Sequence, residues 1–298
     1  MEKMSQDALQ DFNSMINRDP ASDSADRRSF LQTAMGVGFA AAALPVVAQS
    51  VVKTDQAGLT AGEITLTIKG QKVPVYRAMP EGKKDLPVVI VVSEIFGVHE
   101  HIADVARRFA KQGYLALAPE MFVRQGDAAN QPSVAELIKN VISKVPDAQV
   151  MEDIDACVAW AKANGGNTDK LGITGFCWGG RITWLYSAYN PAVKAGVAWY
   201  GRLVGDKNEL QTQYPVDVAG KLKGAVLGLY GAKDTGIPLE SVEKMKAALA
   251  GGSSKSEFVV YPNSGHAFHA DYRPSYVEVD AKDGWNRCLA WFKANGVA

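Results

Sequence analysis

An α/β architecture, with a mostly parallel sheet flanked by helices on both faces, is what this 298-residue sequence predicts. Short β-branched runs alternate with longer segments of helical periodicity, the pattern of repeated strand–helix–strand units. The run "LPVVIVV" is apolar throughout, as expected of a strand covered on both faces. The length suits one large domain of this class.

The elements follow in order. "EITLTIK" (63–69) and "KVPVYR" (72–77) read as paired antiparallel strands at a sheet edge. "LPVVIVVSE", Leu86 to Glu94, is the first buried strand. A helix is expected over Ile102 to Lys111, then the strand "YLALAPE". Two helices fit between Gln131 and Asn164, the second stopped by "NGG" at 164–166. A strand from Lys170 to Gly175, a helix after Cys177 and the strand "AGVAWYG" come next. "GAVLGLYGAKD" supplies another strand, and Pro238 opens a helix to about Ala250. "SEFVVYPN" is the last strand, and a helix from about Tyr276 closes the chain. The sequence contains no internal repeat.

The first 48 residues stand apart. Arg27-Arg28, followed by Ser29-Phe30-Leu31, resembles the twin-arginine export signal of bacteria. The apolar stretch from Ala34 to Val47 is broken by Gly36, Gly38 and Pro45, and is shorter than the ~20 apolar residues of a membrane span. Val46-Val47-Ala48 offers a signal-peptidase site, with the cut after Ala48. The expectation is a signal segment over 1–48 and a single domain over 49–298. The export machinery is then a partner, and the processed protein is periplasmic or secreted without a stable membrane anchor. The 32 basic and 32 acidic residues balance, so nothing resembles the electrostatic footprint of a nucleic-acid binder.

Three cysteines are too few for a disulfide framework. Cys157 shares an apolar helical face with Val150, Ile154, Val158 and Ala161, and Cys288 shares one with Ala281, Trp285, Leu289 and Phe292. Both read as small core residues. Cys177 does not. It lies within "GFCWG", the nucleophile-elbow pattern G-x-S-x-G with cysteine in place of serine, at a tight strand-to-helix turn. A thiol there sits at a helix N-terminus, whose positive end favours a thiolate.

Ligands of open α/β sheets gather at the carboxyl ends of the strands. Cys177, Asp234 and His266 each follow a predicted strand, in the order nucleophile, acid, histidine that marks an α/β-hydrolase fold. His266 then serves as base toward the thiol, and Asp234 orients the imidazole. The Trp178 amide is one expected oxyanion donor and the Ile95 amide the second. His99 and His269 are the alternative histidines, and Phe96, Trp178, Trp199, Tyr200 and Phe268 are candidates to line a pocket. Four histidines without metal-ligand spacing imply no metal, and no cofactor is called for.

Taken with "SEIFGVHEHI", "YLALAPEMFVR", "LYGAKD" and "NSGHAFHADYRPSY", these residues resemble the dienelactone hydrolase (carboxymethylenebutenolidase) family from about Glu63 onward. The resemblance implies that Glu94 lies against the resting thiol and that Arg124 binds a substrate carboxylate through two parallel hydrogen bonds. It also implies a second arginine four residues after the histidine. Here that position is Ala270, and Arg273, three residues on, is either the substitute or a structural residue. The expected function is a cysteine-dependent hydrolase that opens a small-molecule lactone or cleaves an ester bearing a carboxylate, through an acyl-thioenzyme. The alternatives are a general carboxylesterase of the same fold, a thiol-based redox protein using Cys177, or an inactive binding protein.

Overall fold

The computed structural model describes residues 51–298; the signal segment expected over 1–48 lies outside the described residues. Eight strands form one sheet in the order β1-β2-β4-β3-β5-β6-β7-β8. They are β1 Leu59–Ile68, β2 Gln71–Pro80, β3 Leu86–Val92, β4 Leu115–Pro119, β5 Gly166–Phe176, β6 Val193–Trp199, β7 Ala225–Gly231 and β8 Glu257–Tyr261. β1 and β2 pair antiparallel, as does β2 with β4. Every pairing from β4 through β3 to β8 is parallel. The helices are α1 Glu100–Lys111, α2 Val134–Asn140, α3 Asp147–Ala163, α4 Trp178–Tyr189, α5 Pro215–Val218, α6 Leu239–Leu249 and α7 Glu278–Ala294.

Strand side chains alternate between faces, and β3 shows the consequence. Val89 and Val91 join a cluster with Ile102 and Phe109 of α1 and Phe292 of α7. Val88, Ile90 and Val92 join the opposite cluster, with Ile154 of α3 and Ile182 and Leu185 of α4. Both faces of β3 are therefore apolar and buried, which accounts for its continuous run. Cys157 and Cys288 are fully buried in these two clusters, as core packing requires.

The structure departs from the sequence reading mainly at edges. β5 starts at Gly166 rather than Lys170: Leu86 and Pro87 pair with Gly166 and Asn167, after which the register jumps so that Val88 meets Leu171. The polar stretch "NTDK" occupies that irregularity and carries no strand-like alternation. The four-residue α5 had no periodic signal to announce it. Among the described residues no helix is long and apolar enough to cross a membrane.

Because β3, β5, β7 and β8 run parallel, the segments after them leave the same edge of the sheet. Val92 faces Gly175 across the β3–β5 ladder, so Glu94 and Cys177, each two residues further on, emerge side by side.

Candidate active site

Cys177 is the residue between β5 and α4, and its backbone is held at φ 54° and ψ −112°. A non-glycine residue in that region is strained, and such strain persists only where the surroundings enforce it. Here the Cys177 N–H donates to the Trp199 carbonyl at 3.0 Å, tying the corner to the end of β6. The turn also needs its glycines. A Cβ on Gly175 would collide with the Gly179 carbonyl, and one on Gly179 would collide with the Val92 carbonyl. The side chain of Cys177 is left half-buried, while the other two thiols are sealed in the core.

His266 lies five residues beyond β8 and Asp234 three beyond β7, and the two meet at 2.7 Å between Nδ1 and Oδ2. The other Asp234 oxygen accepts from the amides of Gly236 and Ile237 at 2.9 and 3.1 Å, which fixes the carboxylate. Burial alone would push the imidazole down. The neighbouring Cys177 and Asp234 overcome it and hold His266 well above its ordinary value. The edge of the Tyr200 ring packs on His266, with centroids 5.1 Å apart. The alternative histidines are placed differently. His269 is buried among Phe176 and Trp199, and burial pushes it well below its ordinary value. His99 is buried as well and is pushed down to about 3, by burial first and by His101 second.

The Ile95 and Trp178 amides have no acceptor among the described residues, as an oxyanion hole requires of its donors. The loop that carries Ile95 is braced by Glu120, a residue the sequence reading did not single out. Its carboxylate accepts from the Val98 amide at 2.8 Å and from the Phe122 amide at 3.3 Å. Gly97, at φ +76°, leaves room for that carboxylate, since a Cβ would overlap it. Phe122 in turn packs edge-on against the Trp178 ring at 4.9 Å.

Glu94 is buried beside this cluster. Its Oε2 accepts from the Tyr272 hydroxyl at 2.7 Å and from Arg273 at 3.1 Å. Burial would raise this carboxyl, yet the Arg273 guanidinium first, then His99 and His101, and last the Tyr272 hydrogen bond hold it below the ordinary glutamate value. Arg273 is thus at the site, stacked over the Phe96 ring at 4.7 Å, with a carboxylate of the chain already on it. Arg124 is likewise already paired. Its two terminal nitrogens form a fork with Asp153 of α3 at 2.6 and 2.8 Å, so the parallel pair of hydrogen bonds expected for a substrate is made within the chain. Among the described residues no cluster of histidine, cysteine and carboxylate side chains could hold a metal ion.

Tyr272 is a residue that sequence reasoning did not single out, and His99, named there only as an alternative histidine, stands instead against Tyr272. Tyr272 reaches Glu94 only through the loop after β8, while His99 comes from the loop between β3 and α1, and no spacing rule connects positions 94, 99 and 272. A thiol in a strained corner, a histidine with its carboxylate, two backbone amides without an acceptor and a buried acid together suit acyl transfer.

The model of the dienelactone hydrolase family matches residues 73–296. A protein of Methylorubrum extorquens described as "Putative carboxymethylenebutenolidase" is 56% identical over 279 residues, covering 93% of this chain and 96% of its own. An Escherichia coli K12 protein with the same description is 51% identical over 267 residues, covering 89% and 98%. The crystal structure of a Klebsiella pneumoniae protein titled "Putative Dienelactone Hydrolase" superposes with a TM-score of 0.78 at 55% identity, over 79% of this chain and 98% of that one.

Proposed function

The chain belongs to the dienelactone hydrolase family, whose members hydrolyse ester and lactone bonds, and from that premise we propose that it works through Cys177 as the nucleophile. The thiolate attacks the carbonyl carbon, and the oxyanion that forms is met by the Ile95 and Trp178 amides. When the C–O bond breaks, His266 gives its proton to the departing alkoxide, which in a lactone stays attached as the other end of the opened chain. An acyl-thioenzyme remains. His266 then takes a proton from water, the hydroxide attacks the thioester, and the acid leaves as the thiolate is restored. Asp234 keeps Nδ1 of His266 protonated, so Nε2 is the nitrogen that exchanges protons. Glu94 acts beside the thiol as the acid–base partner that the family resemblance implies.

The observation that carries this reading is the 2.7 Å Asp234–His266 pair set beside the strained Cys177 corner. It also weighs against a redox protein, since Cys157 and Cys288 are buried in the core and neither is placed as a resolving thiol. Two substrate classes stay in play, each with its own support. The resemblance favours a lactone bearing a carboxylate. The pairing of Arg124 with Asp153 and of Arg273 with Glu94 favours an uncharged ester, because an anionic substrate has to compete with a carboxylate of the chain for either arginine.

The test is steady-state hydrolysis of cis-dienelactone, a carboxylate-free lactone and p-nitrophenyl acetate by residues 49–298, with Cys177→Ala as control. Turnover absent in the control supports the mechanism, and the ranking of the three substrates decides the class. Turnover retained by Cys177→Ala overturns it. Residues 27–48 further support export by the twin-arginine route to the periplasm or beyond. Replacing Arg27 and Arg28 by lysine in the full chain is expected to hold the protein in the cytoplasmic fraction, and unchanged fractionation refutes that route.

A further inference from the structure

Glu94 is unevenly satisfied. Both of its polar contacts, from Tyr272 and Arg273, fall on Oε2, while Oε1 is buried with no partner among the described residues. A buried carboxylate oxygen left bare is costly unless it has work to do. Its direction is therefore set entirely from the other oxygen.

The donor at that oxygen is itself held from behind. Tyr272 is buried, and its single hydroxyl proton is spent on the 2.7 Å bond to Glu94. The Tyr272 oxygen also lies 3.2 Å from Nε2 of His99. Having no second proton, it accepts there, so His99 carries its proton on Nε2. Nδ1 of His99 is then an acceptor, and it is buried without a partner. The His99 ring stands edge-on to Tyr272 at 4.9 Å and stacks over His101 at 6.1 Å. His101 is anchored by Nδ1 to Asp271 at 2.7 Å. A column of hydrogen bonds and ring contacts thus runs from Asp271, one residue before Tyr272, back to the carboxylate.

We infer that Tyr272, oriented by His99, is a positioning residue for catalysis: it fixes the bare Oε1 of Glu94 toward the thiol. The inference rests on the role given to Glu94 in the proposed function. Arg273 supplies charge at Oε2 from between the Phe96 and Tyr272 rings, 4.7 and 5.1 Å from their centroids, but it binds through one nitrogen at the longer distance of 3.1 Å. The short Tyr272 bond supplies the direction. The ionisable groups facing Glu94 are Arg273, Tyr272, His99 and His101, with Tyr200 and Cys177 across the site.

The experiment is a double-mutant comparison of Tyr272→Phe, Glu94→Gln and the pair, with kcat and kcat/KM for p-nitrophenyl acetate and cis-dienelactone followed against pH. Each variant is checked for folding by near-UV circular dichroism. Tyr272→Phe is expected to lower kcat by about ten-fold, the value of one hydrogen bond to a charged group. It is also expected to move the acid limb of the pH profile upward, because Glu94 loses a donor to its ionised form. Both effects vanish in the Glu94→Gln background. An equal loss in that background, or an acid limb that does not move, overturns the inference and leaves Tyr272 as packing. If Glu94→Gln turns over like the unmodified protein, the role of Glu94 itself fails and the inference falls with it. Should Tyr272→Phe not fold, His99→Ala removes the support behind Tyr272, since His99 itself makes no hydrogen bond to Glu94, and is expected to act in the same direction, again only when Glu94 is present.

Discussion

Asp271 offers the sharpest test of how the loop after β8 is held. Its side chain is 1% exposed and gathers three donors: His101 at 2.7 Å, Arg108 at 3.1 Å and the Val52 amide at 2.9 Å. Through them the loop bearing His266, Tyr272 and Arg273 is fastened to α1 and to the segment that precedes β1. Burial opposes ionisation, but His101, Arg108 and the Val52 amide outweigh it and hold the carboxyl at about 2, against an ordinary 3.8. A group whose folded-state value is depressed stabilises the fold above its unfolded value, and that stability is lost as pH falls through the folded one. The window is therefore pH 4 down to pH 2. The gap corresponds to about 2.4 kcal/mol at pH 7, of which about half remains at pH 3. Asp271→Asn keeps the shape and removes the charge, so it should cost at least about 2 kcal/mol at pH 7. Urea unfolding followed by the fluorescence of the six tryptophans, at pH 7, 4 and 3, measures this directly. The difference between the two proteins should shrink as the pH drops below 4. A difference that is the same at all three pH values, or below about 0.5 kcal/mol at pH 7, refutes the argument that ionised Asp271 fastens the loop.

Two more outcomes follow from packing. In the native protein a thiol reagent should modify Cys177 alone, with Cys157 and Cys288 reacting only after denaturation, because both are fully buried and burial raises their thiols; rapid native labelling of either contradicts the core described here. Gly179→Ala should destabilise the fold by about 1–3 kcal/mol or more, since its Cβ meets the Val92 and Ser93 carbonyl oxygens, while Gly251→Ala, with only one atom near 3.9 Å, should stay within about 0.5 kcal/mol. Matched unfolding curves for the two variants test the pair, and equal midpoints would refute the claim of close approach at the elbow.

What the sequence disclosed and what it withheld divide along a physical line. Period and punctuation are local. The apolar run of β3, the "GFCWGG" corner and the order of Cys177, Asp234 and His266 could be read from neighbours in the chain, and together they bring these three residues to one edge of the sheet because parallel strands end there. Arg124 shows where local reading stops. Its motif matches a substrate-binding arginine, but whether a guanidinium is open to a ligand depends on the carboxylates near it in space, and Asp153 lies 29 residues away on α3. Glu94 was legible as a residue, whereas the hydroxyl that orients it comes from 178 positions further along, with His99 behind it. Such partners leave no period in the sequence, because burial and hydrogen bonding select them across the fold rather than along the chain. The residues proposed to perform the chemistry were therefore visible as types at strand ends, and the hydroxyl of Tyr272 that holds Glu94 became visible only once the loop after β8 was folded against α1 and the end of β3.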